Sequence, residues 1–192
     1  RSPPSVLTRL FRVAQQACAL IGFEYCAVML ADPDGEHLQV GGSCGLSLDY
    51  VALVSDTGSL QIHPPGPLWD TPAARAAREG RTISVSDVRA APDYGRLREL
   101  APAQGYRSLI AAPLPAAEND PDGNGLAGVV VGYSVTPREF GPAEVELIEL
   151  LAGQAALALE TARLRAAQQE VIGELSRVND ELRSGRAVLE WA

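Results

Sequence analysis

The 192-residue chain contains no lysine, and its net charge at pH 7 is −8. Its 16 basic side chains are therefore all arginines, and they form no cluster along the sequence. A nucleic-acid-binding surface needs concentrated positive charge, so this composition argues against such a surface on these residues.

Cysteine is scarce as well, with Cys18, Cys26 and Cys44 as the only three. Their spacing matches no metal-binding motif, and their odd number predicts free thiols in a reducing cytosol. No apolar run reaches the length of a membrane span, and the sequence shows no signal peptide. We therefore expect a cytoplasmic protein without a metal centre and without a membrane partner.

The sequence also lacks the common catalytic motifs. It has no phosphate-binding loop of the Walker type, no HExxH motif and no nucleophile elbow. Asp87 and Asp93 lie close together in sequence, but capping accounts for Asp93 and the exit from a strand accounts for Asp87. The sequence therefore predicts neither an enzyme nor a bound cofactor.

The first part of the chain has the periodicity of a helix followed by a hairpin. Ser5 precedes a run whose apolar residues fall on one helical face, and Gly22 ends that run. The continuous apolar stretch Tyr25–Ala31 predicts a strand that is buried on both faces. The Asp-Pro-Asp-Gly turn at residues 32–35 then predicts an antiparallel return strand.

The middle of the chain alternates between short helices, short strands and one loose connector. The predicted order is a helix near 46–54, a connector over 58–70, a helix over 73–79, a strand over 81–85, a helix over 92–100, and strands over 108–114 and 126–134. With the N-terminal helix and hairpin, this order predicts an α+β fold, in which a central antiparallel sheet carries helices on both faces.

The last quarter of the chain predicts one long helix that forms a coiled coil. A heptad pattern, mostly apolar at its two core positions, persists for about six heptads, more than the three or four that already favour a coiled coil. Beyond Leu164 nothing remains in the chain for the helix to cover, so we expect a second copy to meet it. The expected interface of this homodimer consists of Leu157, Leu164, Val171, Leu175, Val178, Leu182 and Leu189.

These patterns divide the chain into a folded domain at residues 1–165 and a coiled-coil linker helix at residues 166–192. The heptads run to the last residues without a C-cap signal. We therefore expect the linker to lead into an output domain that is missing from this sequence.

Five segments carry a family resemblance, namely Pro72–Arg81, Val85–Val88, Tyr106–Leu114, Leu126–Val131, and Phe140 followed by Glu144–Ile148. In this order and spacing they resemble the GAF family of sensory domains, and the resemblance covers nearly all of Val6–Leu164. It implies a GAF-like fold with an unknown small-molecule effector, since the fold alone does not specify the ligand.

Two departures from the family pattern narrow the choice of ligand. The cyclic-nucleotide-binding members carry an Asn-Lys pair before the last helix, where this chain has Gly132-Tyr133-Ser134. They also carry an Asp-Glu pair where this chain has Glu144-Val145. The resemblance therefore argues against a cyclic nucleotide, and no counterpart is seen of the cysteine motif that holds a bilin.

A family-like pocket would lie between the sheet and the middle helices, lined by residues from about Leu60 to Leu109. The candidate ligand-binding residues are Trp69, Arg75, Tyr94, Arg98, Tyr106 and Arg107. Aromatic walls and an arginine that meets a carboxylate are typical of such pockets. The alternative is that the aromatic residues simply pack at the ends of helices and strands, with their polar tips in water.

The C-terminal helix, from Gln168 to Glu190, is similar to the helix that joins GAF domains to DNA-binding regions in PucR-like transcriptional regulators of actinobacteria. The absence of lysine beside abundant alanine and arginine suits a GC-rich genome of that kind. The resemblance implies a small-molecule-sensing, dimerising domain of a transcriptional regulator, which would meet DNA only through its missing output domain.

Two other functions stay open at this point. The chain could be the input domain of a histidine kinase, a cyclase or a phosphatase, which would use the same kind of linker helix. It could also be a dimerisation module without a ligand. The second alternative predicts that side chains of the protein itself fill the region beneath the middle helices.

Overall fold

The computed structural model describes residues 5–56, 60–65, 68–91, 97–116 and 125–189. The chain divides into two compact units, Arg1–Ala158 and Leu159–Ala192. The predicted division after residue 165 lies farther along the same C-terminal helix.

The first unit contains a five-stranded sheet with the strand order β2-β1-β5-β4-β3. The strands are β1 (Tyr25–Ala31), β2 (Leu38–Cys44), β3 (Ile83–Val85), β4 (Ser108–Pro115) and β5 (Leu126–Ser134). The helices are α1 (Val6–Ile21), α2 (Leu48–Asp56), α3 (Pro72–Glu79), α4 (Leu97–Gln104) and α5 (Pro142–Leu189). Every strand pair is antiparallel, so the predicted α+β fold with a long C-terminal helix is confirmed.

The strand β5 is central because it pairs with β1 on one side and with β4 on the other. Its residues Val129–Val131 are fully buried, as expected for a strand whose two faces are both covered. Such a strand shows a continuous apolar run instead of alternation, and this pattern appears in the sequence of β5.

The sheet has two distinct faces. On one face, Ala27 and Met29 of β1 belong to a core cluster that includes the alanines of α3. Side chains alternate along a strand, so Cys26 and Val28 point to the opposite face. That face is covered by α1, since a Cβ atom on Gly42 of β2 would lie only 2.8 Å from the backbone nitrogen of Phe11.

The helix α3 begins and ends where its capping residues predict. The Thr71 hydroxyl accepts a hydrogen bond from the Ala74 N–H at 3.3 Å, and Pro72 occupies the first turn. At the other end, Gly80 has a positive φ of 62° and its N–H donates to the Ala76 carbonyl at 3.0 Å. These caps confirm both boundaries that the sequence predicts.

The helix α5 buries one face in the first unit and leaves another exposed. Its buried residues there are Ile148, Leu151, Ala152 and Ala155. Their spacing is that of one helical face, whereas Leu150 and Leu157, at heptad positions, are exposed. The residues that cover the domain are therefore not the ones that form the heptad pattern.

The described part of the second unit, residues 159–189, is helical, and its apolar heptad residues from Leu164 to Val178 are exposed. The exposed fractions are 61% for Leu164, 57% for Val171 and 44% for Val178. Leu175 is exposed as well, while the side chains of Leu182 and Leu189 lie outside the described residues. Among the helices described here, none is long and apolar enough to span a bilayer.

Candidate functional site

Three buried tyrosines meet on the sheet face that packs against α3. Tyr50 comes from α2, Tyr133 comes from β5, and Tyr106 lies just before β4. The ring centroids of Tyr106 and Tyr133 are 4.8 Å apart, and Tyr50 meets these two rings edge-on at 5.9 and 6.2 Å. The hydroxyls of Tyr50 and Tyr106 are hydrogen-bonded at 3.0 Å. We call these three residues the tyrosine cluster.

A cavity of about 10 Å³ lies beside the tyrosine cluster. It is lined by Met29, Tyr50, Val54, Leu60, Thr71, Pro72, Ala73, Leu109, Val131 and Tyr133. A volume of about 10–15 Å³ is the least that holds one water molecule. Side chains of the protein itself therefore occupy almost all of the space where a ligand would lie.

The environment of the cavity is electrically neutral. Within the described part of the chain, its lining residues are all uncharged. Burial, followed by the repulsion that an ionised Tyr106 would exert, raises the pKa of Tyr133, and a hydrogen bond with Tyr50 opposes this rise only in part. The Tyr133 phenol therefore stays protonated at physiological pH, and the site favours a neutral group over an anion.

Tyr106 is the one predicted ligand-binding residue that belongs to the tyrosine cluster. Trp69 is 37% exposed, and its ring lies 5.5 Å from the guanidinium of Arg78. Arg78 also donates hydrogen bonds to the carbonyls of Ile62 at 2.7 Å and Trp69 at 3.1 Å. Trp69 and Arg78 thus hold the connector before α3 against that helix. Arg78 was not among the residues predicted from the sequence.

The other predicted arginines contact protein groups away from the cavity. Arg75 pairs with Glu79, one helical turn later, at 3.4 Å. Arg98 is exposed and donates to the Ala91 carbonyl. Tyr94 lies outside the described residues, so its predicted role is not addressed by the structure.

Arg107 joins the start of β4 to the end of β3 through Asp87. Its guanidinium donates to the two carboxylate oxygens of Asp87 at 2.5 and 3.1 Å. The Arg89 N–H adds a third hydrogen bond at 3.0 Å. The hydrogen bond from the Arg107 side chain is the main cause that lowers the pKa of Asp87 from its usual value of 3.8.

Replacing Asp87 by asparagine should lower stability at neutral pH and have little effect in acid. The folded-state pKa is lower than that of the unfolded chain, so the charged form stabilises the fold above about pH 5 and this contribution is lost as the pH falls through the folded pKa. We expect the unfolding temperatures of the two proteins to differ at pH 7 and to converge towards about pH 3.

Calorimetry over this pH range checks that expectation. The variant Asp70→Asn removes the same charge from a residue outside the pair and serves as the control. An Asp87→Asn effect that is equally large at both ends of the range would contradict the assigned role of the carboxylate.

Tyr50 and Tyr133 were missed by the sequence analysis. One signal for Tyr133 was present, because Val129, Val131 and Tyr133 alternate along β5 and therefore share a face. Tyr50 carries no comparable signal, since one tyrosine in a nine-residue helix does not reveal what the helix packs against.

The described residues contain no group of three or more histidine, cysteine, aspartate or glutamate side chains arranged to hold a metal ion. The tyrosine cluster offers phenol hydroxyls, and the buried hydroxyl of Thr71 already accepts a backbone hydrogen bond. This chemistry suits hydrogen bonding to a small neutral molecule or to a single water.

Most of the chain matches the model of one protein family. The model of the family described as GAF domain matches residues 5–159. Among curated proteins, none matches the sequence.

Several solved structures are similar to this chain. A domain of a protein assigned as a two-component sensor histidine kinase from Sinorhizobium meliloti 1021 is 18% identical, with a TM-score of 0.66 over 87% of this chain and 99% of that one. The GAF domain of a phosphoenolpyruvate-protein phosphotransferase from Coxiella burnetii is 18% identical, with a TM-score of 0.64 over 86% and 89%. A free methionine-R-sulfoxide reductase from Neisseria meningitidis, solved with its substrate, is 19% identical, with a TM-score of 0.61 over 85% and 83%. At these identities the similarity establishes the fold alone.

Proposed function

The chain belongs to the GAF domain family, and we propose that it is a dimerising regulatory domain of a cytoplasmic signalling protein. GAF domains are typical sensory and regulatory modules of such proteins. The observation that carries the proposal is the exposed apolar heptad pattern of α5. The free thiols of the three cysteines favour the cytoplasm.

In the second unit, Leu164, Val171 and Val178 recur every seven residues and are exposed. This repeat is the seam of a left-handed coiled coil, in which each apolar side chain enters a hole on a partner helix. Burying one such side chain contributes about 1.5–3 kcal/mol, part of which is offset by the entropy lost on association. A second copy of the same helix is the simplest partner that matches the repeat.

The experiment that tests dimerisation is light scattering on the chain and on a version that ends at Ala166. We expect a dimer mass for the chain and a monomer mass for the shortened version. A dimer in both cases would indicate that the interface lies instead at the exposed apolar residues Leu7, Phe11 and Leu20 of α1. A monomer in both cases would overturn the proposal.

As the output, we propose transcriptional regulation, supported by the similarity of α5 to the linker helix of PucR-like regulators. A histidine kinase is the second candidate, favoured by the similarity of the fold to the Sinorhizobium domain. Sequencing the gene beyond the codon for Ala192 distinguishes the two candidates. A DNA-binding region there would support a transcriptional regulator, and a kinase domain would support a histidine kinase.

We place the action of a small effector at the tyrosine cluster. Its binding would shift the population between two arrangements of the domain, and paired α5 helices would transmit the difference. Because the cavity measures about 10 Å³, such an effector must displace some of the side chains that line it. The same volume favours a second candidate function, which is a dimerisation module without a ligand.

Thermal unfolding with a panel of neutral aromatic and amino-acid compounds distinguishes the two. For an effector-regulated domain, we expect one compound to raise the unfolding temperature of the wild type and to raise that of Tyr133→Phe less. The variant keeps the ring and removes only a hydroxyl. If no compound raises the wild-type temperature, the module without a ligand is supported.

We further propose that the domain is not an enzyme, although two structural neighbours are free methionine-R-sulfoxide reductases. Reducing a sulfoxide requires an electron-pair donor such as a thiol beside the substrate. Cys26 points away from the face of the tyrosine cluster, since Ala27 and Met29 face it. Formation of methionine from its free sulfoxide in the presence of dithiothreitol would contradict this proposal.

A further inference from the structure

The residues that flank the heptad seam of α5 are arranged by charge. In a heptad written abcdefg, positions a and d form the seam, and positions e and g lie on its two sides. In the second unit, the seam residues are Thr161, Leu164, Gln168, Val171, Leu175 and Val178. Position g carries Glu160, Ala167 and Glu174, and position e carries Arg165, Ile172 and Asn179. Among these six flanking residues, the acids are all at g and the single base is at e.

Arg165 has no acidic neighbour on its own helix. Side chains three or four residues apart are the ones that meet on a helix surface. At those distances from Arg165 the sequence has Thr161, Ala162, Gln168 and Gln169. Glu160 precedes Arg165 by five residues, which places the two about 140° apart around the helix, one on each side of the seam. A carboxylate that pairs with this exposed arginine must therefore come from outside the helix.

We propose that two copies of α5 pair in parallel and in register, so that Glu160 of each helix meets Arg165 of the other. This inference rests on the dimerisation proposed above and adds its geometry. In a parallel pair, each g residue lies beside the e residue that comes five positions later on the partner helix. The contacts across the pair are then Glu160 with Arg165, Ala167 with Ile172, and Glu174 with Asn179. Opposite charges meet, apolar meets apolar, and an acid meets an amide.

The exposure of Ile172 supports the same register. Ile172 lies outside the seam, yet it is apolar and 59% exposed. Beside Ala167 of a parallel partner, its side chain widens the apolar contact and is withdrawn from water. A parallel pair that slipped by one heptad would place Ile172 beside a glutamate and would leave Arg165 without one. The in-register pair is therefore favoured over its slipped alternatives.

The same flanking residues oppose an antiparallel pair. In that arrangement the g positions of the two helices face each other, and so do the e positions. The g residues are glutamate or alanine, and the e residues are arginine, isoleucine or asparagine. Within residues 159–179, no antiparallel alignment brings opposite charges together at these positions. Charge complementarity thus selects the parallel orientation.

The polar seam residues favour the parallel pair for a separate reason. Both of them, Thr161 and Gln168, are at position a, whereas the d residues Leu164, Val171 and Val178 are apolar. In a parallel pair in register, a meets a, so the two Gln168 carboxamides can hydrogen-bond to each other. In an antiparallel pair a meets d, so each carboxamide would be buried against leucine or valine, which is costly.

Cysteine cross-linking of the whole chain tests the orientation. The variants Leu164→Cys and Val178→Cys, made separately, place a thiol at two seam positions that are about 21 Å apart along the helix. A parallel pair in register brings each residue beside its own copy, so we expect both variants to form a covalent dimer on mild oxidation. An antiparallel pair can link one position at most, because the two copies of the other residue then lie about 42 Å apart.

Ser176→Cys is the matched control. Position b lies off the seam, so its two copies are too far apart for a disulfide, and the wild type controls for links through the native cysteines. Linking of Ser176→Cys to the same extent would show that the links arise from random collision and would overturn the inference. Light scattering of the reduced proteins distinguishes the remaining outcomes. A dimer mass without links at both seam positions overturns the orientation alone, and a monomer mass overturns the proposed dimerisation as well.

Charge reversal tests the ion pair itself. Glu160→Arg alone and Arg165→Glu alone should each weaken the dimer roughly tenfold, because two symmetric contacts change from attraction to repulsion. The double variant restores opposite charges and should return the dissociation constant to near the wild-type value. All three differences should shrink at high salt.

Sedimentation over a range of protein concentrations measures these dissociation constants. Arg163, three residues after Glu160, is unchanged in every variant, so the cycle isolates the coupling between Glu160 and Arg165. If the effects of the two single variants simply added in the double variant, these two residues would not meet, and the assigned pairing would be overturned.

Discussion

Replacing Leu164 and Val171 together by aspartate is expected to convert the proposed dimer to a monomer. Both residues lie one heptad apart on the exposed apolar side of α5. In a paired coiled coil the double variant would bring four carboxylates into an apolar seam, where their desolvation and mutual repulsion oppose association. Light scattering at several protein concentrations measures the change in mass.

A matched control keeps the charge and changes only its position. Gln169 and Ser176 are also exposed and one heptad apart, but they lie next to the heptad core positions and not in them. We expect Gln169→Asp with Ser176→Asp to remain a dimer and to retain the helix signal in circular dichroism. If both double variants gave the same mass, the apolar residues would not be the interface.

The ends of α3 and the turn between β1 and β2 could be predicted from the sequence because local chemistry specifies them. Thr71 and Gly80 mark the two ends of α3, and each makes the capping hydrogen bond that its residue type predicts. The Asp32–Gly35 turn likewise joins β1 to β2 as an antiparallel pair. These signals act over a few residues, so the amino-acid sequence alone reveals them.

Contacts between distant segments could not be predicted from the sequence in the same way. Tyr50, Tyr106 and Tyr133 meet only because β4 pairs with β5 and α2 packs on the same face. No spacing along the chain predicts this meeting. The predicted pocket therefore contained Tyr106 but neither of its partners.

The cysteines are a second example of a spatial arrangement that the sequence alone does not predict. Their spacing matches no motif, yet the sheet register places Cys26 opposite Cys44, and Cys18 arrives on α1. In α5 the sequence shows the heptad clearly, while the buried residues include Ala152 and Ala155. Alanine suits both an exposed and a buried helical position, so composition does not identify the packing face.

Replacing Gly128 by alanine is expected to destabilise the domain by about 3 kcal/mol or more. Gly128 lies in the central strand β5, between Leu30 of β1 and Leu114 of β4. A Cβ atom there would lie 2.0 Å from the carbonyl oxygen of Met29, and the φ of 156° is one that side chains rarely adopt. The contact is with backbone inside a paired strand, so no side-chain rotation relieves it.

Denaturant unfolding measures the loss, and Gly153→Ala is the matched control. Gly153 lies in α5, and apart from the helix's own nearby backbone no atom lies within 4 Å of an added Cβ, so alanine should raise stability by about 0.5–1 kcal/mol through its higher helix propensity. The same substitution is thus expected to have opposite signs at the two glycines. If Gly128→Ala were as stable as the wild type, β5 would not lie as closely against β1 as the structure places it.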